Sequence, residues 1–487
     1  MKIRTLALMV GLLLPLPLIG QGTGGPLDRR FGPGDGHFRL NRDTHSEIAL
    51  DLAIDGQGRI LVAFLYPDAT TPGAYWPALV RLTPDGFLDP SFGLLGLWVE
   101  QTLEAVPVAN VVVAVDGSDR PLVGWTYEFD QAGTPNRDWA VRRLTTTGQS
   151  DLFKVAAFDL GIGGSGDRFD HLSDLLVWWD DRVIAVGDAQ YAGDDWDFAA
   201  VVWMPDGADG LTLDPSFSGD GRATVFFDLG GFKTDRVESV VAHGTGFVLV
   251  GWAATATPGT KMAVCRFDLL TGALDPSFGS GGKETYSYQP LGGLPWADQR
   301  AYGAAALDNG LVLAGSTFGG ATNLRLAMVR IDDLGAVDPA WGVFGWIVPD
   351  LKYPGLPFES AWASAYDVVA DGADRVLAVG AIQHPTLPGQ SRGVALRLTP
   401  QGVLDSSFSI DGVETYGLEP VGQANQDGFF RTELVDGGKL AVTIGSTRGV
   451  TGGVARPDLD IAVARLIVDS LIFSDAFESG DLAAWAP

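Results

Sequence analysis

The chain has 487 residues, with 60 acidic against 33 basic side chains, a formal charge of −27, one cysteine and 65 glycines. A surface this acidic excludes a nucleic-acid partner, because neutralising phosphates needs a basic face. A single cysteine, Cys265, rules out an intramolecular disulfide, so stability must come from a large apolar core, which 46% hydrophobic residues can supply.

Residues 1–20 read as a secretory signal peptide. Lys2 and Arg4 precede an apolar stretch from Leu6 to Ile19, and Gly20 offers a small residue for cleavage. The apolar run is too short to span a bilayer and is interrupted by Pro15 and Pro17. No cysteine follows it to carry a lipid anchor. The mature chain is therefore expected to be secreted or cell-surface, with no transmembrane segment after cleavage and a short linker at 21–26.

From residue 27 a punctuation segment recurs. It is clearest as Leu88-Asp89-Pro90-Ser91-Phe92-Gly93, Leu213-Asp214-Pro215-Ser216-Phe217 and Leu274-Asp275-Pro276-Ser277-Phe278-Gly279. Further copies are Leu27-Asp28-Arg29-Arg30-Phe31-Gly32, Val337-Asp338-Pro339-Ala340-Trp341-Gly342, Leu404-Asp405-Ser406-Ser407-Phe408 and an eroded Asp151-Leu152-Phe153, whose connection is expected to be looser. Successive copies lie about 60 to 67 residues apart, the signature of a repeat fold. Between copies the pattern predicts four strands. In the first unit these are residues 47–54, the turn Asp55-Gly56-Gln57-Gly58, residues 59–64, then 77–82 and 97–100. A third strand of the Ala-Val-x-Arg-Leu type recurs seven times, ending with Ile461 to Leu466.

The ends of the repeat region are complementary. The first punctuation segment is followed by a lone fourth strand at 36–40, and the seventh unit stops at its third strand. Pairing the two satisfies the sheet edges. The fold expected over residues 27–467 is all-β: a seven-bladed β-propeller of four-stranded antiparallel blades, closed by the N-terminal strand. An open solenoid would need polar caps at both ends, and none is visible.

These motifs resemble the delta-60 repeat of bacterial exported proteins, a propeller-like repeat of about this period. That resemblance implies a fold and an exported location. It carries no catalytic residues onto this chain.

The repeated residues read as staples. Asp and Ser of the punctuation can bond local N–H groups, and its ring can plug between blades. The third-strand arginines Arg81, Arg143, Arg266, Arg330, Arg397 and Arg465 are expected to pair with a nearby carboxylate, such as the punctuation Asp. In the fourth copy Trp203-Met204 stand where the others have Arg.

Function is expected on the face bearing the second-to-third and interblade loops, which vary while the first-to-second turns stay tight. Aromatic residues concentrate there beside carboxylates. Trp76, Trp196, Trp296, Tyr353 and Trp362 are the candidate ligand-binding residues, interleaved with Asp68, Asp130, Asp194, Asp195, Asp298 and Glu359. Rings for stacking and carboxylates for hydroxyls suit a glycan or a protein segment. The expected function is a non-catalytic binding scaffold for a protein or glycan, with no catalytic residue and no cofactor assigned. A passive envelope component would bind neither. The alternative is a propeller enzyme or metal-binding protein using Asp51, Asn110, Asp174, Glu238 and Asp367, which fall on first strands and so line a central channel. Asp35, Asp220 and Asp411 precede Gly, but no twelve-residue calcium loop is present, so metal binding stays open. The tail at 468–487, with Phe473, Phe477 and Trp485, reads either as a strap on the propeller or as a sorting segment resembling the endings of other exported proteins.

Overall fold

The computed structural model describes residues 27–469 apart from 41–45, 69–70, 72–73, 101–109, 132–133, 159–167, 208, 231–232, 257–258, 291–296, 319–323, 357–360, 388, 419–426, 448–449, 452–453 and 456–458. The signal peptide, the linker, nearly all of the tail, His45, Trp296, Phe358 and Glu359 lie outside the described residues.

The chain is all-β and builds successive four-stranded antiparallel units. Unit one runs Ile48–Ile54, Ile60–Pro67, Tyr75–Leu82 and Leu97–Val99. Unit two runs Val111–Val115, Pro121–Gln131, Thr134–Leu144 and Ser150–Ala156. Unit three has Arg168–Val177, Val183–Ala192 and Asp195–Pro205, and both Leu211–Leu213 and Arg222–Val225 pair with the last of these. A short parallel contact, Arg168 with Asn136 and Phe169 with Arg137, joins units two and three into one nine-stranded sheet. Unit four is Asp235–His243, Gly246–Ala254, Thr260–Asp268 and Lys283–Tyr286; unit five is Gln299–Leu307, Gly310–Phe318, Leu324–Ile331 and Trp346–Ile347. Unit six is Trp362–Ala370, Val376–Gln383, Ser391–Leu398 and Val413–Tyr416. Unit seven has Gly428–Val435, Leu440–Thr447 and Asp460–Ile467, and its fourth strand is the N-terminal His37–Leu40, with His37 opposite Ala464 and Leu40 opposite Ile461.

The punctuation segments join one unit to the next. In unit one Asp89 accepts from the backbone N–H and hydroxyl of Ser91 at 3.0 and 2.6 Å and from Arg81 Nε at 2.9 Å. Arg81 also donates to Thr146 O in unit two and stacks on Phe92, 4.5 Å from the ring centre. The same pairing recurs as Arg143–Asp151, Arg266–Asp275, Arg330–Asp338, Arg397–Asp405 and Arg465–Asp28. Unit three, which lacks the third-strand arginine, recruits Arg182 from its first-to-second turn, 3.3 Å from Asp214. The need for a cation beside a buried Asp is thus met from another part of the unit.

Outside the eroded copy, the ring of the punctuation segment is buried against the next unit: Phe31, Phe92, Phe217 and Phe278 are fully buried, Trp341 nearly so and Phe408 6% exposed. Each such ring contributes about 2 kcal/mol by burial. A turn glycine lies over it. A Cβ on Gly86 would meet the Phe31 ring at 2.6 Å, and one on Gly402 the Trp341 ring at 2.7 Å. Both glycines also have φ above +70°, so two constraints select glycine there.

The contact between units seven and one repeats these features. Arg465 donates to Pro84 O at 2.8 Å, Gly32 N–H donates to Asp85 O at 2.7 Å, and Phe31 packs with Val62, Val80, Val442 and Ile444 in one apolar cluster.

The eroded copy differs from expectation. Residues 150–156 form a seven-residue strand entered directly from the turn at 145–149, so the connection is shorter, not looser. Without the Pro and Gly of the other copies the backbone can keep pairing, and Phe153 stacks on Trp125 with ring centres 5.9 Å apart.

Candidate functional site

Six of the first strands carry a β-bulge at a corresponding position, between Ala49 and Asp51, Leu172 and Asp174, Val237 and Ser239, Ala301 and Gly303, Ala365 and Asp367, and Phe429 and Arg431. A bulge leaves one extra side chain on the strand surface and re-aims its neighbour. Where the following residue is Asp, its carboxylate reaches the next unit: Asp51 accepts from Val113 N–H at 2.7 Å, Asp174 from Val240 N–H at 2.9 Å and Asp367 from Thr432 N–H at 2.8 Å. In unit seven the same place holds Arg431, whose Nε lies 3.3 Å from Asp51. In units five to seven the bulged residues form an aromatic arc, with Tyr302 and Tyr366 at 5.7 Å and Tyr366 and Phe430 at 5.6 Å between ring centres.

This belt separates two cavities, and Arg431 lines both. The outer one, about 370 Å³, lies at the start of the first strands, the end that carries the variable loops; Asn110, His171, Asp188, Arg236, Glu238 and Trp252 line it. The inner one, about 480 Å³, lies between the belt and the tight-turn ends of the same strands.

At the outer mouth the charges are held in place. Arg236 Nη1 donates to Asp188 at 2.9 Å, and Asp188 also accepts from Val237 N–H at 2.6 Å. The Arg236 guanidinium lies over the Trp196 ring at 3.9 Å, and His171 packs against the same ring at 5.2 Å between ring centres. Trp252 Nε1 donates to Glu238 at 2.9 Å, while Arg300 lies over the Trp252 ring at 4.4 Å. Asn110 Nδ2 donates to Ser173 O at 3.1 Å. Burial, with Arg236 and Arg137 nearby, pushes His171 down to about 4, so the imidazole is neutral. Burial lifts Asp188 to about 7 although Arg236 opposes the rise, and burial also raises Glu238. Such a set offers an aromatic edge, amide and guanidinium donors and carboxylate acceptors without requiring a charged ligand.

Of the residues singled out from sequence, Asp51, Asp174 and Asp367 line the inner cavity and Asn110 and Glu238 the outer. The four described aromatic candidates sit in different surroundings. Trp76 is half-buried in unit one, and Tyr353 packs beside His384 at 4.8 Å. Trp362 is 39% exposed at the start of unit six. Trp196 is buried, its ring occupied by Arg236 and His171. Trp296 lies outside the described residues. Sequence reasoning missed Asp188, Arg236, Trp252, Arg431 and Glu433. The available signal was a lone charge interrupting an apolar strand, as Asp188 interrupts Val183–Ala192. Among the described residues, no group of three or more His, Cys, Asp or Glu could hold a metal ion, and no helix is long and apolar enough to cross a membrane.

A family model described as a β-propeller domain of unknown function, DUF5122, matches residues 73–92, the third strand and punctuation of unit one. This supports a β-propeller repeat. No curated protein matches. Among solved structures, the polysaccharide lyase Uly1 is similar at 10% identity and a TM-score of 0.47, covering 89% of this chain and 92% of that one. A Penicillium chrysogenum α-L-arabinanase is similar at 12% identity and a TM-score of 0.41, covering 74% of this chain and 93% of that one. A Staphylococcus aureus virginiamycin B lyase is similar at 10% identity and a TM-score of 0.39, covering 88% of this chain and 98% of that one.

Proposed function

We propose that the protein is an exported, seven-bladed β-propeller of the delta-60 type, closed by its N-terminal strand, that binds a glycan without transforming it. The closure reading is supported by the junction of units seven and one, where the Arg-to-carbonyl bond, the buried ring and the turn glycine of the other boundaries all recur.

The glycan reading rests on the outer cavity. Its donors and acceptors come from several strands and converge on a space large enough for one or two sugar residues, within the range of small-ligand sites. Glu238 uses one oxygen for the Trp252 indole, which leaves the other for a hydroxyl. Trp362, Tyr353, Trp76 and Trp296 belong to the surrounding loop face and would extend the contact. A binding role fits better than chemistry because the candidate acids are already committed: Asp188 to Arg236, and Glu238 to the indole.

The test is a thermal-shift panel of neutral oligosaccharides on the mature chain, since a ligand that binds only the native state raises the melting temperature. A shift that disappears in Glu238→Gln supports the cavity, and one reduced in Trp362→Ala extends the site to the loops. No shift with any oligosaccharide, while a protein partner binds in a Trp362-dependent way, would overturn the glycan reading.

A further inference from the structure

The bulges fix which side chains of successive units share one register position. The bulged residue is Ser173 in unit three, Glu238 in unit four, Tyr302 in unit five, Tyr366 in unit six and Phe430 in unit seven. Ser173 and Glu238 line the outer cavity, and the shared register brings the three rings to the same side of their strands. Burial raises the Tyr302 hydroxyl and the charge of Glu238 adds to the rise, so the arc begins beside the Glu238 carboxylate. All three rings are half-buried. Two positions before the bulged residue, units three, four and five carry His171, Arg236 and Arg300, whereas units six and seven carry Ser364 and Gly428. A Cβ on Gly428 would meet the Phe430 ring at 3.6 Å, so that ring lies alongside a position with no side chain. On the loop side, units six and seven thus give their rings no large cover from the same strand. The Tyr302 hydroxyl accepts from Ser316 at 3.3 Å, Tyr366 is bonded to Ser364, and Phe430 has no polar atom. What the arc offers a guest is ring carbon.

We propose that the ligand of the outer site is a glycan bearing an aromatic group, its sugar on the polar wall of Asn110, Arg236 and Glu238 and its aromatic group against Tyr366 and Phe430. This rests on the glycan reading of the outer cavity and names the class of glycan. A bare sugar uses one wall only. Stacking a pyranose needs a flat ring face, and these rings are tilted by 50° and 63° to one another. Edge and face alternate along such an arc, an arrangement that a further aromatic ring continues. A quaternary ammonium, the other common guest of an aromatic wall, is disfavoured by the guanidiniums at both ends: Arg300 acts on Tyr302, and Arg431 follows Phe430 and lines the cavity.

Isothermal titration of the mature chain with phenyl, cyclohexyl and methyl β-D-glucoside, and with phenol alone, is the test. Phenyl glucoside is expected to bind about tenfold tighter than methyl glucoside, the order of one added aromatic contact, and tighter than cyclohexyl glucoside. That advantage should vanish in Phe430→Leu and shrink in Tyr366→Leu, with methyl glucoside bound as in the parent, which shows that both variants keep the polar wall. Equal affinity for phenyl and methyl glucoside in the parent would overturn the aromatic subsite and leave the glycan reading standing. Cyclohexyl glucoside binding as tightly as phenyl glucoside would overturn the aromatic class. Phenol bound in a Phe430-dependent way, with no gain from the sugar and no loss in Glu238→Gln, would keep the arc as a site and remove the glycan. Binding of neither phenyl glucoside nor phenol would remove the subsite, the oligosaccharide panel then deciding the glycan reading by itself.

Discussion

The outer rim and the central channel join the same sheets in different ways. At the rim one device is repeated: Arg, Asp, an aromatic ring and a turn glycine recur from unit to unit, and where unit three lacks the arginine another arginine takes its place. In the channel the positions after the bulge diverge, with Asp in units one, three and six but Ser, Gly and Arg in units four, five and seven. The rim is uniform because every boundary has the same mechanical task. The channel is varied because its residues meet one another across a shared space, where a ring of identical charges would repel itself.

The comparison breaks most sharply at the rim ion pair. Arg81 is almost fully buried, so Arg81→Ala leaves Asp89 uncompensated and is expected to cost about 3–5 kcal/mol, read by chemical denaturation. A cost under 1 kcal/mol would mean that the repeated pair is ornamental. Next comes the glycine over the ring. Gly86→Ala at the junction of units seven and one should cost about 2 kcal/mol or more, from positive φ and the Phe31 clash, and Gly402→Ala at an internal boundary should cost the same. A much smaller loss at Gly86 would show that the junction is weaker than the other boundaries.

The channel makes a pH-dependent prediction of smaller size. Asp188 is raised, so the folded state holds a proton that the unfolded chain has released between about pH 4 and 7, and stability should fall as pH rises through that window. Asp188→Asn removes up to one proton's worth of slope, about 1.4 kcal/mol per pH unit, from the denaturation profile. Rim carboxylates behave oppositely. Asp89 and Asp405 are lowered by Ser and Arg partners although burial opposes this, so their contribution is lost as pH drops below the ordinary carboxylate range. The smallest effect belongs to the loop face: Trp362→Ala should change stability by under about 0.5 kcal/mol, seen as an unmoved melting temperature in the absence of ligand.

The repeat period, the strand order within a unit, the seven third strands and the Arg–Asp pairing were legible in the linear chain, because each depends on residues a few positions apart or on a pattern that returns. The complementary ends also announced that His37–Leu40 would pair with Asp460–Ile467. Asp51, Asp174 and Asp367 could be placed in the channel from strand order alone. What they do there could not be read, since a bulge is a register event between strands, and the partners Val113, Val240 and Thr432 lie more than sixty residues away. The same holds for Trp196, whose surface a sequence offers as a stacking face and whose ring the fold gives to Arg236. Local chemistry and periodicity settle what each unit is. Which side chains meet across the cavity is decided only when distant strands are brought together.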